Sequence, residues 1–149
     1  MKLAEALIER AEIQKENAKL LSRIKDNVLV QDGDAPAENS EDLIGEYNKN
    51  MERLLILTQK INATNNKTPF DDKMNVAEAI AVRDCLGAKN RVYREIYENA
   101  TIRQDRYSRK EVKFLRCINI QDLQKRIDGF SKEYREIDVK IQGIIVKPN

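Results

Sequence analysis

Apolar side chains return every three or four residues along four long stretches of this chain, and that spacing predicts four amphipathic α-helices. In the first, over about 2–27, Leu3, Leu7, Ala11, Ala18, Leu21 and Val28 share one face. Ala6, Ile13, Leu20 and Ile24 form a second seam beside it. Two adjacent seams make a stripe wide enough for two neighbours, as in a bundle, whereas a two-stranded coiled coil needs one narrow seam. The second helix, about 40–64, carries Ile44, Tyr47, Met51, Leu54, Thr58 and Ile61. Ser40 is its expected N-cap, and Asp42 places negative charge where a helix N-terminus favours it.

The third helix, about 75–102, carries Ala79, Ile80, Leu86, Tyr93, Ile96, Tyr97 and Ala100, and Asn75 with Glu78 has the spacing of a capping box. Gly87 inside it costs roughly 1 kcal/mol relative to Ala, for which a close helix crossing is the expected compensation. The fourth helix, about 119–145, is the most regular: Ile120, Leu123, Ile127, Phe130, Tyr134, Ile137, Ile141 and Ile144 follow one seam. Asn119 is its expected N-cap, and Pro148 sits beyond its end.

Between these stretches the periodicity breaks. Val28 to Gln31 is β-prone, Asp32-Gly33 is a turn signal, and Pro36 blocks helix continuation. Residues 62–74, "NATNNKTPFDDKM", supply a polar connector containing Pro69. The stretch "VKFLRCI" from Val112 to Ile118 is again β-prone, so 28–31 and 112–118 are expected to pair as a short two-stranded ribbon at one end. The fold class expected is mainly all-α: one domain over 1–149, an antiparallel four-helix bundle of long helices.

Charge sharpens this picture. Residues 103–116 hold six basic and two acidic side chains, a net of +4, whereas 32–42 holds five acids and no base, a net of −5. In an up-down-up-down bundle these two connectors share an end, so their charges are expected to offset each other. Over the whole chain the net charge is only +2, which removes global polycation binding to nucleic acid or anionic lipid. Charged residues are 35% of the chain, against roughly 25% for ordinary globular proteins, as long solvated helices require.

Histidine is absent, and with it the usual general base, the usual partner of a Ser or Cys nucleophile and the commonest zinc ligand. No Gly-rich phosphate loop occurs, so neither catalytic, cofactor nor metal residues are expected. Cys85 and Cys117 form no Cys-x-x-Cys pair and are expected as free thiols, small apolar residues in a reducing compartment. No stretch reaches the ~20 apolar residues of a membrane span, and the N-terminus lacks a signal-peptide run, so a soluble cytoplasmic protein is expected. Arg83 and Asp84, adjacent on a helix, are expected to reach different partners, with a structural ion pair across the bundle.

The best candidate binding residues are Arg103, Arg106, Tyr107, Arg109, Lys110, Lys113 and Arg116, a basic strip with an aromatic among the charges. Wide helix faces without a catalytic set favour a non-enzymatic protein that works by association, expected as a homo-oligomer of two or more copies. The alternative is polyanion or nucleic-acid binding through 103–116, with affinity falling steeply in salt.

"MKLAEALIERAEIQKENAKL", "VQDGDAPAE", "INATN", "EAIAVRDCL" and "RYSRKEVKFLRCINIQDLQKRIDGFSKEYREIDVKIQ" together resemble, in order and spacing, a family of small bacterial helical proteins labelled septicolysin-like. The resemblance covers nearly the whole chain and implies a helical fold, a bacterial source and, through its label, a membrane-active cytolysin as a second alternative. It carries no catalytic motif. Amphipathic surfaces released from the bundle would be the only route to a bilayer that this composition offers.

Overall fold

The computed structural model describes residues 2–101 and 113–146. Among these, the chain is all-helical: α1 is Leu3–Asn27, α2 Ser40–Lys67, α3 Val76–Ala100 and α4 Ile120–Val146. The chain divides into two compact units, one of Met1–Thr68 with Ile145–Asn149 and one of Pro69–Ile144.

In the first unit α1 and α2 run antiparallel. Glu9 meets Arg53 through two hydrogen bonds of 2.6 and 2.9 Å, and farther along α1 the Asn17 Oδ1 accepts from Asn50 Nδ2 at 3.1 Å. Ala6, Ile13, Leu57 and Ile61 form the hydrophobic cluster of this hairpin, with Leu3, Leu7 and Leu54 packed at its edge. Of the two seams expected on α1, the one through Ala6, Ile13 and Leu20 is buried, while Ala11, Ala18, Leu21 and Val28 of the other are exposed. On α2 the buried line runs through Leu43, Leu57 and Ile61, whereas Tyr47 and Met51 of the expected seam are exposed. The polar Asn50 and Arg53, engaged by α1, occupy the inward face and disguise it in the sequence.

The ends of α2 differ from expectation. Asn39, not Ser40, caps the helix, its Oδ1 accepting from Glu41 N at 2.9 Å and Asp42 N at 3.2 Å. The helix continues through the Asn-rich stretch to Lys67, where Thr68 closes it by donating from N and Oγ1 to Thr64 O. Asn65 in this last turn is buried, and its Oδ1 has no hydrogen-bond partner among the described residues.

In the second unit a tight turn precedes α3. Phe70 N donates to Met74 O at 2.9 Å, the Asp71 carboxylate accepts from Lys73 N and Met74 N, and Pro69 bridges Asn75. Those two amide donors hold the Asp71 carboxyl below its ordinary range. The capping box then forms as its spacing predicts: Glu78 N donates to Asn75 Oδ1 at 2.8 Å, and Asn75 N to Glu78 Oε1 at 3.1 Å. Asn119 caps α4 by accepting from Asp122 N at 3.0 Å.

Helices α3 and α4 are likewise antiparallel. Arg83 pairs with Asp138 at 2.9 Å, Asn90 Nδ2 donates to Ser131 Oγ at 2.6 Å, and Tyr93 meets Phe130 edge-on with centroids 4.9 Å apart. A Cβ on Gly87 would lie 3.3 Å from the Tyr134 ring, so the absent side chain lets that ring cross close to α3. Arg83 also donates to Asp84 at 3.3 Å, contrary to the expectation that these neighbours reach separate partners: the long guanidinium arm folds back over its own helix. Cys85 and Cys117 are free but exposed, so neither serves as an apolar packing residue.

The expected β-ribbon does not form among the described residues. Residues 28–31 and 113–118 lie outside any strand, and Val112 is not among the described positions. After α1 the chain enters a turn in which Asp34 N donates to Gln31 O at 3.0 Å and Gly33 takes φ 91°. β-propensity supplies neither a paired edge nor a packed face, and a two-stranded ribbon needs both.

Candidate interaction surface

The connector after α1 is a pinned loop. Asn27, the last residue of α1, donates from Nδ2 to Arg23 O at 2.7 Å, and its Oδ1 accepts from Glu38 N at 2.9 Å. Arg23 clamps the Glu38 carboxylate with Nε at 3.0 Å and with Nη2 on the other oxygen. The clasp ties both ends of 28–37 together one turn from the helix end. Its apolar trio, Val28, Leu29 and Val30, points to solvent, with Leu29 85% exposed. Asp32 and Asp34 follow, exposed and in no ion pair among the described residues.

The Arg23 hydrogen bond holds the Glu38 carboxyl below the ordinary glutamate value of 4.5, against a smaller opposing effect of burial. The Arg53 hydrogen bond does the same for Glu9. A carboxyl whose value is lower folded than unfolded adds stability that is fully present above 4.5 and is lost as pH falls through the folded value. Thermal melting is therefore expected to drop on acidification below 4.5, and to drop less steeply in the Glu9→Gln, Glu38→Gln double variant, which starts lower at neutral pH. An equally steep acid loss in the double variant would remove both pairs from the account.

The connector before α4 is described from Lys113 onward. Arg116 Nε donates to Ala100 O at 3.0 Å, satisfying a carbonyl that the end of α3 leaves open. Lys113 is exposed, and between the two bases Phe114 is 76% and Leu115 86% exposed. Arg103, Arg106, Tyr107, Arg109 and Lys110 lie outside the described residues, as does the larger part of the expected 103–116 partnership with 32–42. Lys113 and Arg116 are thus the candidate binding residues whose surroundings are described. Sequence reasoning missed the Arg23–Asn27–Glu38 clasp, and it read 28–31 and 112–118 as strands, where the structure leaves Val28, Leu29, Val30, Phe114 and Leu115 in solvent. The available signal was the placement of "VLV" between a helix end and an Asp-Gly turn, with no period to bury it.

An open depression of about 410 Å³ lies in the second unit, lined by Arg94, Tyr97, Glu98, Gln124, Ile127 and Asp128. Its lining mixes one base, Arg94, with two acids, Glu98 and Asp128, and selects no ligand class. Among the described residues there is no group of three or more potential metal ligands, and no helix is long and apolar enough to cross a membrane.

A family model described as "Family of unknown function (DUF6847)" matches residues 10–145. A solved structure described as a functionally unknown conserved protein from Corynebacterium diphtheriae is similar over 97% of this chain and 94% of that one, with 40% identity and a TM-score of 0.81. Comparison with curated proteins gives no match. These findings correct the septicolysin-like resemblance, since neither the family nor the solved structure points to such proteins. The stretches that suggested it are largely amphipathic helix, whose pattern is dictated by packing, and a packing pattern does not carry an activity. With the match running over most of its length, the chain belongs to the family of unknown function DUF6847.

Proposed function

We propose that the protein is a non-enzymatic, cytoplasmic helical protein that works by associating with copies of itself. The observation that carries this reading is the presentation of large apolar side chains on two connectors, Leu29 on the one after α1 and Phe114 with Leu115 on the described part of the one before α4. Single exposed apolar residues are ordinary, whereas contiguous exposed apolar patches mark interaction sites. Support also comes from the second apolar seam of α1, whose Ala11, Ala18 and Leu21 remain exposed beside a well-packed first seam. The absence of histidine from the sequence favours a binding role over acid–base or nucleophilic catalysis. Light scattering across a dilution series tests the reading. A mass of two or more protomers at about 10–100 µM is expected, a range matching micromolar to tighter association. A protomer mass throughout would sink homo-association.

A further inference from the structure

Leu29 and Leu115 are the two most exposed large apolar side chains among the described residues, and they sit in segments of opposite charge. Leu29 is followed by Asp32 and Asp34, while Leu115 lies between Lys113 and Arg116 with no acid from 113 to 121. Resting on the association reading above, we infer that loop 28–34 of one protomer docks on segment 113–118 of a second copy. Val28, Leu29 and Val30 meet Phe114 and Leu115, and Asp32 and Asp34 meet Lys113 and Arg116.

Three observations support this occupant. The loop is preorganised: the Arg23–Glu38 and Asn27–Glu38 hydrogen bonds fix its ends, and the Gln31–Asp34 turn fixes its tip, so little ordering cost remains on binding. Its acids stay outside every ion pair among the described residues, which leaves them available to a cationic partner. Arg116 is likewise held in place by its Nε bond to Ala100 O, with no carboxylate paired to it among the described residues.

The chemistry discriminates among partner classes. An anionic bilayer or a nucleic acid matches Lys113 and Arg116 but offers no cation to Asp32 and Asp34. A second copy supplies both halves of the match. If each of two copies gives its loop and receives the other's, the contact is made twice about a two-fold axis. Doubling matters because a standard interface buries about 800 Å² per partner, more than one short loop provides.

The test uses the full chain and two charge-reversed variants. One carries Asp32→Lys and Asp34→Lys, the other Lys113→Glu and Arg116→Glu, and circular dichroism melting confirms that both stay folded. Each alone places like charges opposite each other, so its self-association should weaken by about tenfold or more in sedimentation. Mixed in equal amounts, the two variants restore both loop–segment pairs and should recover the parent's mass. Leu29→Ser in the parent should also weaken association, and this effect should persist in high salt, where charge contributes less.

A monomeric parent overturns both the inference and the association reading. An oligomeric parent whose reversed variants associate equally well overturns the inference alone and moves the interface elsewhere. Variants that lose association separately but do not recover on mixing show that the two segments meet other surfaces, which also overturns it.

Discussion

Leu57→Asp is expected to unfold the α1–α2 hairpin under conditions in which the parent is fully folded. Leu57 is 0% exposed and belongs to the cluster of Ala6, Ile13 and Ile61 that joins the two helices. Emptying a buried leucine site costs about 2–5 kcal/mol, and placing a carboxylate there adds several more or forces it to take up a proton. Domains of this size have only about 5–15 kcal/mol of stability in total, so the sum consumes most of it. Helical circular dichroism should collapse, or the urea midpoint should fall far below that of the parent. Leu55→Asp, two residues away and exposed, serves as the control and should change the midpoint little. If Leu57→Asp melts like the parent, the α1–α2 packing described above is wrong.

The second large effect is a contrast along one seam. Ile127→Asp should destabilise the α3–α4 hairpin by several kcal/mol, because Ile127 is 4% exposed and its replacement strands a charge in a packed site. Ile137 follows the same sequence spacing but is half-buried, so water can reach a carboxylate there and Ile137→Asp should cost about 1–2 kcal/mol. Denaturant titration of the two variants measures the difference directly. Equal losses would mean that the seam is uniformly buried and that the gradient of burial along α4 is incorrect.

The helices themselves were legible because their causes are local. An apolar residue every three or four positions forces one face of a helix to leave water whatever it packs against, and Leu123, Ile127 and Ile141 are buried on the line their spacing defines. The Asn75–Glu78 box and the Asn119 cap were equally legible, since a cap needs only its own next three residues. The shift from Ser40 to Asn39 at the start of α2 shows the limit of that rule: both side chains can cap, and Asn39 takes the role by reaching the amides of Glu41 and Asp42.

Less of the candidate surface could be read. The six bases of the strip stood out by charge alone, but exposure of Phe114 and Leu115 depends on whether another segment covers them. A β-prone sequence describes a preference that only a partner strand can realise. Clasp formation likewise needs Arg23 and Glu38, fifteen residues apart, to meet across the end of α1, and neither residue's immediate neighbours encode that meeting.

Sequence by itself determined four amphipathic helices, the caps at Asn75 and Asn119, the turn at Asp32-Gly33 and the near-neutral balance of charge, because each follows from spacing or from contacts within one turn. Tertiary structure decided which of the two α1 seams is buried, which α2 positions face it, that Gly87 admits the Tyr134 ring, and that "VLV" and "FL" remain in solvent. Burial is a property of what lies opposite a side chain. Spacing fixes the face on which a residue sits, and only the packed neighbour fixes whether that face is covered.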